Sequence, residues 1–174
     1  SSSGFAYGTH RIDGTRKKDI IRADYNQNRN FEIYGYENHD KLYGAQGNDY
    51  LNGGKGNDKL YGNEGSDSLV GEAGNDKIYG GDGVDHVFLP GDRSQYSIKY
   101  KKKKDFYLVK PLAKFKNELK AGNNKVYQTE YLQFRDESVY IGSEEQPSPT
   151  PAPSPAPTPD TPQDTIIGTQ KDDK

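Results

Sequence analysis

The 174-residue chain has no cysteine, no methionine and no tryptophan. Without cysteine there is no disulfide framework and no thiolate metal site. No apolar run is long enough to span a bilayer, and no signal peptide is visible. Hydrophobic residues are only 30% of the chain, and the mean hydropathy is −1.11. So little core material argues against a compact globular enzyme over the whole length. No serine stands with a plausible base and no cysteine nucleophile exists, so the chain is expected not to be an enzyme. With Ser1 first and no methionine, it reads as a piece of a longer protein.

What the chain does have is a rhythm. From Gly35 to Phe88 six nine-residue phrases follow without a break: GYENHDKLY, GAQGNDYLN, GGKGNDKLY, GNEGSDSLV, GEAGNDKIY and GGDGVDHVF. The first place is always glycine: Gly35, Gly44, Gly53, Gly62, Gly71 and Gly80. The sixth is always aspartate: Asp40, Asp49, Asp58, Asp67, Asp76 and Asp85. The eighth is always aliphatic: Leu42, Leu51, Leu60, Leu69, Ile78 and Val87. A fixed short period signals a solenoid. Glycine at the first place, with small residues often at the second and fourth, is expected to allow positive φ and a tight turn. The last three places make a strand whose inward side chain is the eighth. Each phrase is then a half-turn, and phrases two apart stack. Asp40, Asp58 and Asp76 fall on one edge; Asp49, Asp67 and Asp85 fall on the other.

Stacked loops set a carboxylate beside carbonyls of the neighbouring turn. Such an all-oxygen, irregular and partly anionic cage suits Ca²⁺ better than Mg²⁺ or Zn²⁺. Pairing Asp40 with Asp58, Asp58 with Asp76, Asp49 with Asp67 and Asp67 with Asp85 predicts four interloop sites, with incomplete ones at the ends. One buried aliphatic per nine residues does not offset the entropy of ordering them. Residues 35–88 also hold four Lys against ten Asp or Glu, a net charge of −6. Metal binding and folding are therefore expected to be one event.

The phrases resemble the RTX nonapeptide, G-G-x-G-x-D-x-U-x, where U is a large aliphatic. The resemblance implies an all-β fold: a parallel β-roll, a two-sheet solenoid of nine-residue half-turns, with an irregular N-terminal cap and a C-terminal β cap. It also implies that main-chain carbonyls complete the calcium shell, here those of Gly44, Gly53, Gly62, Gly71, Gly80, Asn48, Asn57, Ser66 and Asn75. It further implies a bacterial protein exported unfolded by type I secretion machinery, which folds on extracellular calcium outside the cell or on its surface. A protein that folds on calcium has no need of disulfides.

Residues 5–34 carry a degraded rhythm and are read as N-terminal capping repeats. Gly14, Asp19 and Ile21 keep the places, and Ile33 follows with Phe31 where aspartate belongs. The spacing between the two phrases is twelve residues, a three-residue insertion. Asp19 is left outside the ligand set. His10, His39 and His86 show no metal spacing, and His39 and His86 are expected on solvated surface. Tyr34, Tyr43, Tyr61 and Tyr79 recur at the ninth place with Phe88 closing the row. The row is expected to point outward, stacked from Tyr43 onward, and to shield the strands; stacking of sugars is the alternative.

The roll is expected over 35–92 and a basic β cap over 93–142. There Tyr96–Tyr100 and Phe106–Val109 alternate around a polar turn, predicting a hairpin. Asn123 and Asn124 mark a second turn, and a Glu130-to-Asp136 phrase resembles the segment that follows many RTX rolls. By that resemblance Leu132 and Phe134 cover the open end. Residues 93–142 hold twelve Lys or Arg against five Asp or Glu, a net of +7. Lys101, Lys102, Lys103 and Lys104 either grip an anionic surface polysaccharide or form a solvated tip that complements the acidic roll. No nucleic-acid motif accompanies them. Residues 143–163 are a Pro-rich polyproline II spacer, and 164–174 restart the phrase, with Asp164 and Asp173 nine apart. The function expected is that of a calcium-folded structural module. The alternatives are a polyanion- or glycan-binding module, an adhesin or S-layer element, and an accessory module of a secreted exoenzyme.

Overall fold

The computed structural model describes residues 10–25 and 29–142. The expected spacer, the restarted phrase and residues 5–9 lie outside the described residues. The chain forms β1 (His10–Asp13), β2 (Ile20–Arg22), β3 (Phe31–Tyr34), β4 (Lys41–Tyr43), β5 (Tyr50–Asn52), β6 (Lys59–Glu64) and β7 (Ser68–Val70). It continues through β8 (Lys77–Asp82), β9 (His86–Phe88), β10 (Tyr96–Lys101), β11 (Phe106–Pro111), β12 (Asn124–Tyr127), β13 (Tyr131–Gln133) and β14 (Ser138–Tyr140). One four-residue helix, Lys116–Leu119, is the only α-helix among the described residues.

Successive strands alternate between two seven-stranded sheets. The first runs β1-β3-β5-β7-β9-β13-β14, and the second runs β10-β11-β12-β8-β6-β4-β2. Through the roll the pairing is parallel and without slip: Leu42 lies beside Leu60 and Leu60 beside Ile78. Leu51 lies beside Leu69, and Leu69 beside Val87. All six of these aliphatic side chains are fully buried, and each contributes roughly 1.5–3 kcal/mol of burial. The protein is an all-β parallel solenoid. β1, β2 and β3 pair in parallel with β3, β4 and β5, so the degraded N-terminal phrases are rungs of the same roll.

The chain closes the roll by first extending it. The predicted hairpin is present as antiparallel β10–β11. Asn124, read from the sequence as part of a turn, instead opens strand β12, which pairs in parallel with β8 and lays Val126 on Ile78. β13 does the same on β9, with Leu132 on Val87. One further turn is therefore added, and beyond it the antiparallel strands β11 and β10 end the second sheet and antiparallel β14 ends the first. Leu132 and Phe134 are buried, as expected of covering residues.

Candidate metal centre

The loops that join the two sheets stack into ladders. On one edge the backbone N–H of Asp19 donates to Oδ1 of Asp40 at 2.7 Å, Asp40 to Asp58 at 2.8 Å, and Asp58 to Asp76 at 2.9 Å. Asp76 donates in turn to Oδ1 of Asn124 at 3.0 Å. On the other edge Phe31 donates to Asp49, Asp49 to Asp67 and Asp67 to Asp85, at 2.7, 2.7 and 2.8 Å. Asp85 then donates to Oε2 of Glu130 at 2.8 Å. The six aspartates are at most 2% exposed.

Each aspartate thus uses one oxygen for the ladder. The other is the notable one. Oδ2 of Asp40, Asp58, Asp67, Asp76 and Asp85 is buried and accepts no hydrogen bond. A buried, unpartnered carboxylate oxygen is costly unless a cation meets it. No lysine or arginine does so: the salt bridges among the described residues join Arg11 to Asp13, Lys55 to Glu37 and Arg135 to Asp92. Burial pushes the Asp58 carboxyl up to about 6, Asp76 and Asp85 to about 7 and Asp67 to about 8, and neighbouring carboxylates push the same way. Burial also raises Asp40 and Asp49.

The first-place glycines sit against these oxygens. A Cβ at Gly35 would fall 2.7 Å from Asp40 Oδ2 and 2.5 Å from the carbonyl oxygen of Gly53, one turn on. The same crowding by Asp49 Oδ2 and the Gly62 carbonyl meets Gly44. These glycines are therefore required by close approach. Positive φ, expected across the first, second and fourth places, falls in the six phrases only at the second and fourth: Gly54 (90°) and Gly56 (144°) are examples. Even Tyr36 (74°) and Glu72 (61°) adopt it at the second place. The loop from Gly44 departs from this rule. Neither Ala45 nor Gly47 has positive φ, and the Ala45 N–H turns in to donate to Asp49 Oδ2 at 2.7 Å. Asp49 is therefore the one aspartate of the six whose second oxygen is occupied by its own loop.

Asp19, left outside the expected set, is satisfied similarly: the Thr15 N–H and Oγ1 donate to its Oδ2 at 2.6 and 2.9 Å. The carbonyl of Gly44 accepts from Asn63 Nδ2 at 2.8 Å. Asn48, Asn57, Ser66 and Asn75 precede the aspartates, and their side chains have a task that the sequence reading missed. The Asn75 N–H donates to Asn57 Oδ1, Ser66 to Asn48 Oδ1 and Val84 to Ser66 Oγ, at 2.8, 2.8 and 3.3 Å. His39 is exposed, as expected, and also stands in this outer ladder, its Nδ1 accepting the Asn57 N–H at 2.8 Å. His86 is half-buried and stacks on Tyr131 at 4.8 Å, with burial lowering its basicity.

The arrangement tests well against a calcium ion. The oxygens free to take one are carboxylate and carbonyl oxygens, which suit a hard cation of flexible coordination. Among the described residues no three His, Cys, Asp or Glu side chains form a cluster, so a metal here would rely on main-chain oxygens beside single carboxylates. Asp40, Asp58, Asp67, Asp76 and Asp85 would hold it through Oδ2. No curated protein sequence matches the chain. The model of the RTX calcium-binding nonapeptide repeat family, in four copies, matches residues 32–60 and 61–89. The stacked phrases of residues 32–89 are thus similar in sequence to the RTX calcium-binding nonapeptide repeats.

Proposed function

We propose that this chain is a non-catalytic, calcium-folded structural module of a secreted bacterial protein. The observation that carries it is the set of five buried Oδ2 atoms without a partner. Calcium bound there between stacked loops would neutralise the −6 charge of residues 35–88 and supply the stability that one aliphatic per phrase does not. About four ions are assigned, one to each stacked pair of aspartates from Asp40–Asp58 to Asp67–Asp85, the Asp49–Asp67 site drawing its free Oδ2 from Asp67 alone, with carbonyls such as Gly53 and Gly62 completing the shell. Low calcium inside the producing cell keeps the segment extended for export through a type I secretion channel, and millimolar calcium outside folds it.

The test is a calcium titration of the whole chain followed by far-UV circular dichroism, with magnesium in parallel. A cooperative gain of β signal with calcium alone is expected. A fully folded spectrum in EDTA would overturn the coupling of metal to folding.

A further inference from the structure

The two sheets differ on their outer faces in a way that composition does not predict. Strand residues on either side of each buried aliphatic point outward. On the second sheet one outward column runs Lys41, Lys59, Lys77 and Lys125, each beside the next in register. The other runs Arg22, Tyr43, Tyr61, Tyr79 and Tyr127. Beyond β12 the same face continues through Leu108 and Phe106 of β11 to Lys99 and Lys101 of β10. These seven strands present eight cations, Lys110 of β11 among them, and no acid at their outward places; Glu64 and Asp82 lie beyond the corner glycines Gly62 and Gly80, on the loop edge. On the first sheet, the corresponding places of the parallel strands hold one cation, Arg11, against Asp13 and Glu32.

Lysines on an edge strand such as β10 guard it against pairing, but Lys41, Lys59, Lys77 and Lys125 stand on interior strands, where no edge needs guarding. Like charges directly opposite in neighbouring strands are destabilising. None of the salt bridges among the described residues involves these side chains. The column is a positive line without an ion pair, one charge per strand spacing, about 4.8 Å, with Lys125 at one end also over the Phe106 ring at 5.6 Å.

The tyrosines beside it specify how a partner is met. Tyr43, Tyr61, Tyr79 and Tyr127 are stacked in sequence at 4.7, 4.7 and 4.4 Å, with planes within 11° of parallel. The Arg22 guanidinium closes one end at 4.0 Å and Phe106 packs on the other at 5.2 Å. Phe88, expected to close this row, lies on the first sheet, because nine residues is a half-turn. Every ring face in the column is occupied. Neither sugars nor bases can stack on it, and what remains outward is a row of ring edges and hydroxyls beside the row of ammonium groups.

We propose that this face docks a linear acidic polysaccharide laid along the roll axis. An extended chain of acidic pyranoses repeats a carboxylate or sulfate and several hydroxyls at an interval close to the strand spacing, which matches one ammonium and one phenol per rung. Single-stranded nucleic acid is disfavoured, since it is held by bases stacking on open aromatic faces.

The test uses the calcium-loaded chain and a galacturonic acid hexamer at fixed calcium, by titration calorimetry. A single-stranded oligodeoxynucleotide and phosphatidylserine vesicles serve as competing probes. The variant Lys41→Gln/Lys59→Gln/Lys77→Gln is expected to weaken uronate binding by about tenfold or more, about 1.4 kcal/mol. Lys102→Gln/Lys103→Gln/Lys104→Gln, at the exposed turn after β10, should change it by less than about twofold. Tyr61→Phe/Tyr79→Phe keeps the stack and removes two hydroxyls, so a weaker complex is expected while the calcium transition stays in place. No uronate binding, equal losses in the two lysine variants, or tighter binding of DNA or vesicles would each overturn the inference. Any of these with an unchanged calcium transition leaves the proposed calcium module standing.

Discussion

The acidic roll and the basic segment that closes it are built on one rung and stabilised by different chemistry. Residues 35–88 carry −6 and residues 93–142 carry +7, yet Leu60, Ile78 and Val126 stack as one uninterrupted column. The difference lies at the ladder place before the strand. In the roll it is aspartate, with a second oxygen unpartnered at every one but Asp49; in the cap it is Asn124 or Glu130. Asn124 shows that the ladder bond needs only one acceptor oxygen. The second carboxylate oxygen is surplus to the backbone and is what makes the roll a metal binder.

The largest effect should come from giving the roll the residue of the cap. Asp58→Asn keeps the acceptor for the Asp40 N–H and removes the free Oδ2, so it should abolish about two calcium ions, because Asp58 faces a neighbour on each side. Asp85→Asn at the end of its ladder should abolish about one. Ion counts by equilibrium dialysis decide this, and equal losses at both positions would break the pairing.

Packing should not distinguish the two regions. Leu60 and Leu132 are both 0% exposed, so Leu→Ala at either should cost about 2–5 kcal/mol in saturating calcium. Urea unfolding checks this, and a much smaller cost at Leu132 would show that the cap rung is not equivalent to those of the roll.

Acid should act oppositely with and without metal. Asp58, Asp67, Asp76 and Asp85 have folded values of about 6 to 8, raised above the unfolded value of about 3.9. The metal-free fold therefore binds more protons than the unfolded chain. Its stability is greatest below about pH 4 and falls as pH rises through about 6 to 8. Calcium needs the same groups ionised, so its half-saturation should move to higher concentration as pH drops from about 8 to 6. Circular dichroism in EDTA and in calcium reads both arms. A pH-independent midpoint in both would contradict the burial of these carboxylates.

The smallest effect is local. Glu72 holds φ at +61°, where a glycine is at ease, so Glu72→Gly should stabilise the calcium-loaded roll by up to about 1 kcal/mol. Its bond to Asn52 Nδ2, at 2.7 Å and exposed, offsets part of that. A fall in thermal midpoint would mean that this bond outweighs the backbone strain.

Much of the molecule was legible because its information is local. The triplet of aspartate, any residue and aliphatic repeats every nine residues, and that alone places the aliphatics inward and the aspartates in two rows. The extra turn of the cap was missed for a specific reason. Gly122-Asn123-Asn124-Lys125-Val126-Tyr127 differs from Gly74-Asn75-Asp76-Lys77-Ile78-Tyr79 at only two places, but the aspartate that anchors the phrase is one of them. The signal was present in the flanking residues. The departure at Asp49 was not, since its Oδ2 depends on how the loop beginning at Gly44 turns.

Short-range spacing thus dictated the rung, the direction of each side chain and the acidic loops, because those follow from backbone geometry within nine residues. Tertiary stacking decided which carboxylate oxygens stay free, where the column ends and how charge divides between the two faces. Those properties arise between residues 18 and 48 positions apart, where register between turns sets the neighbours and no local period can.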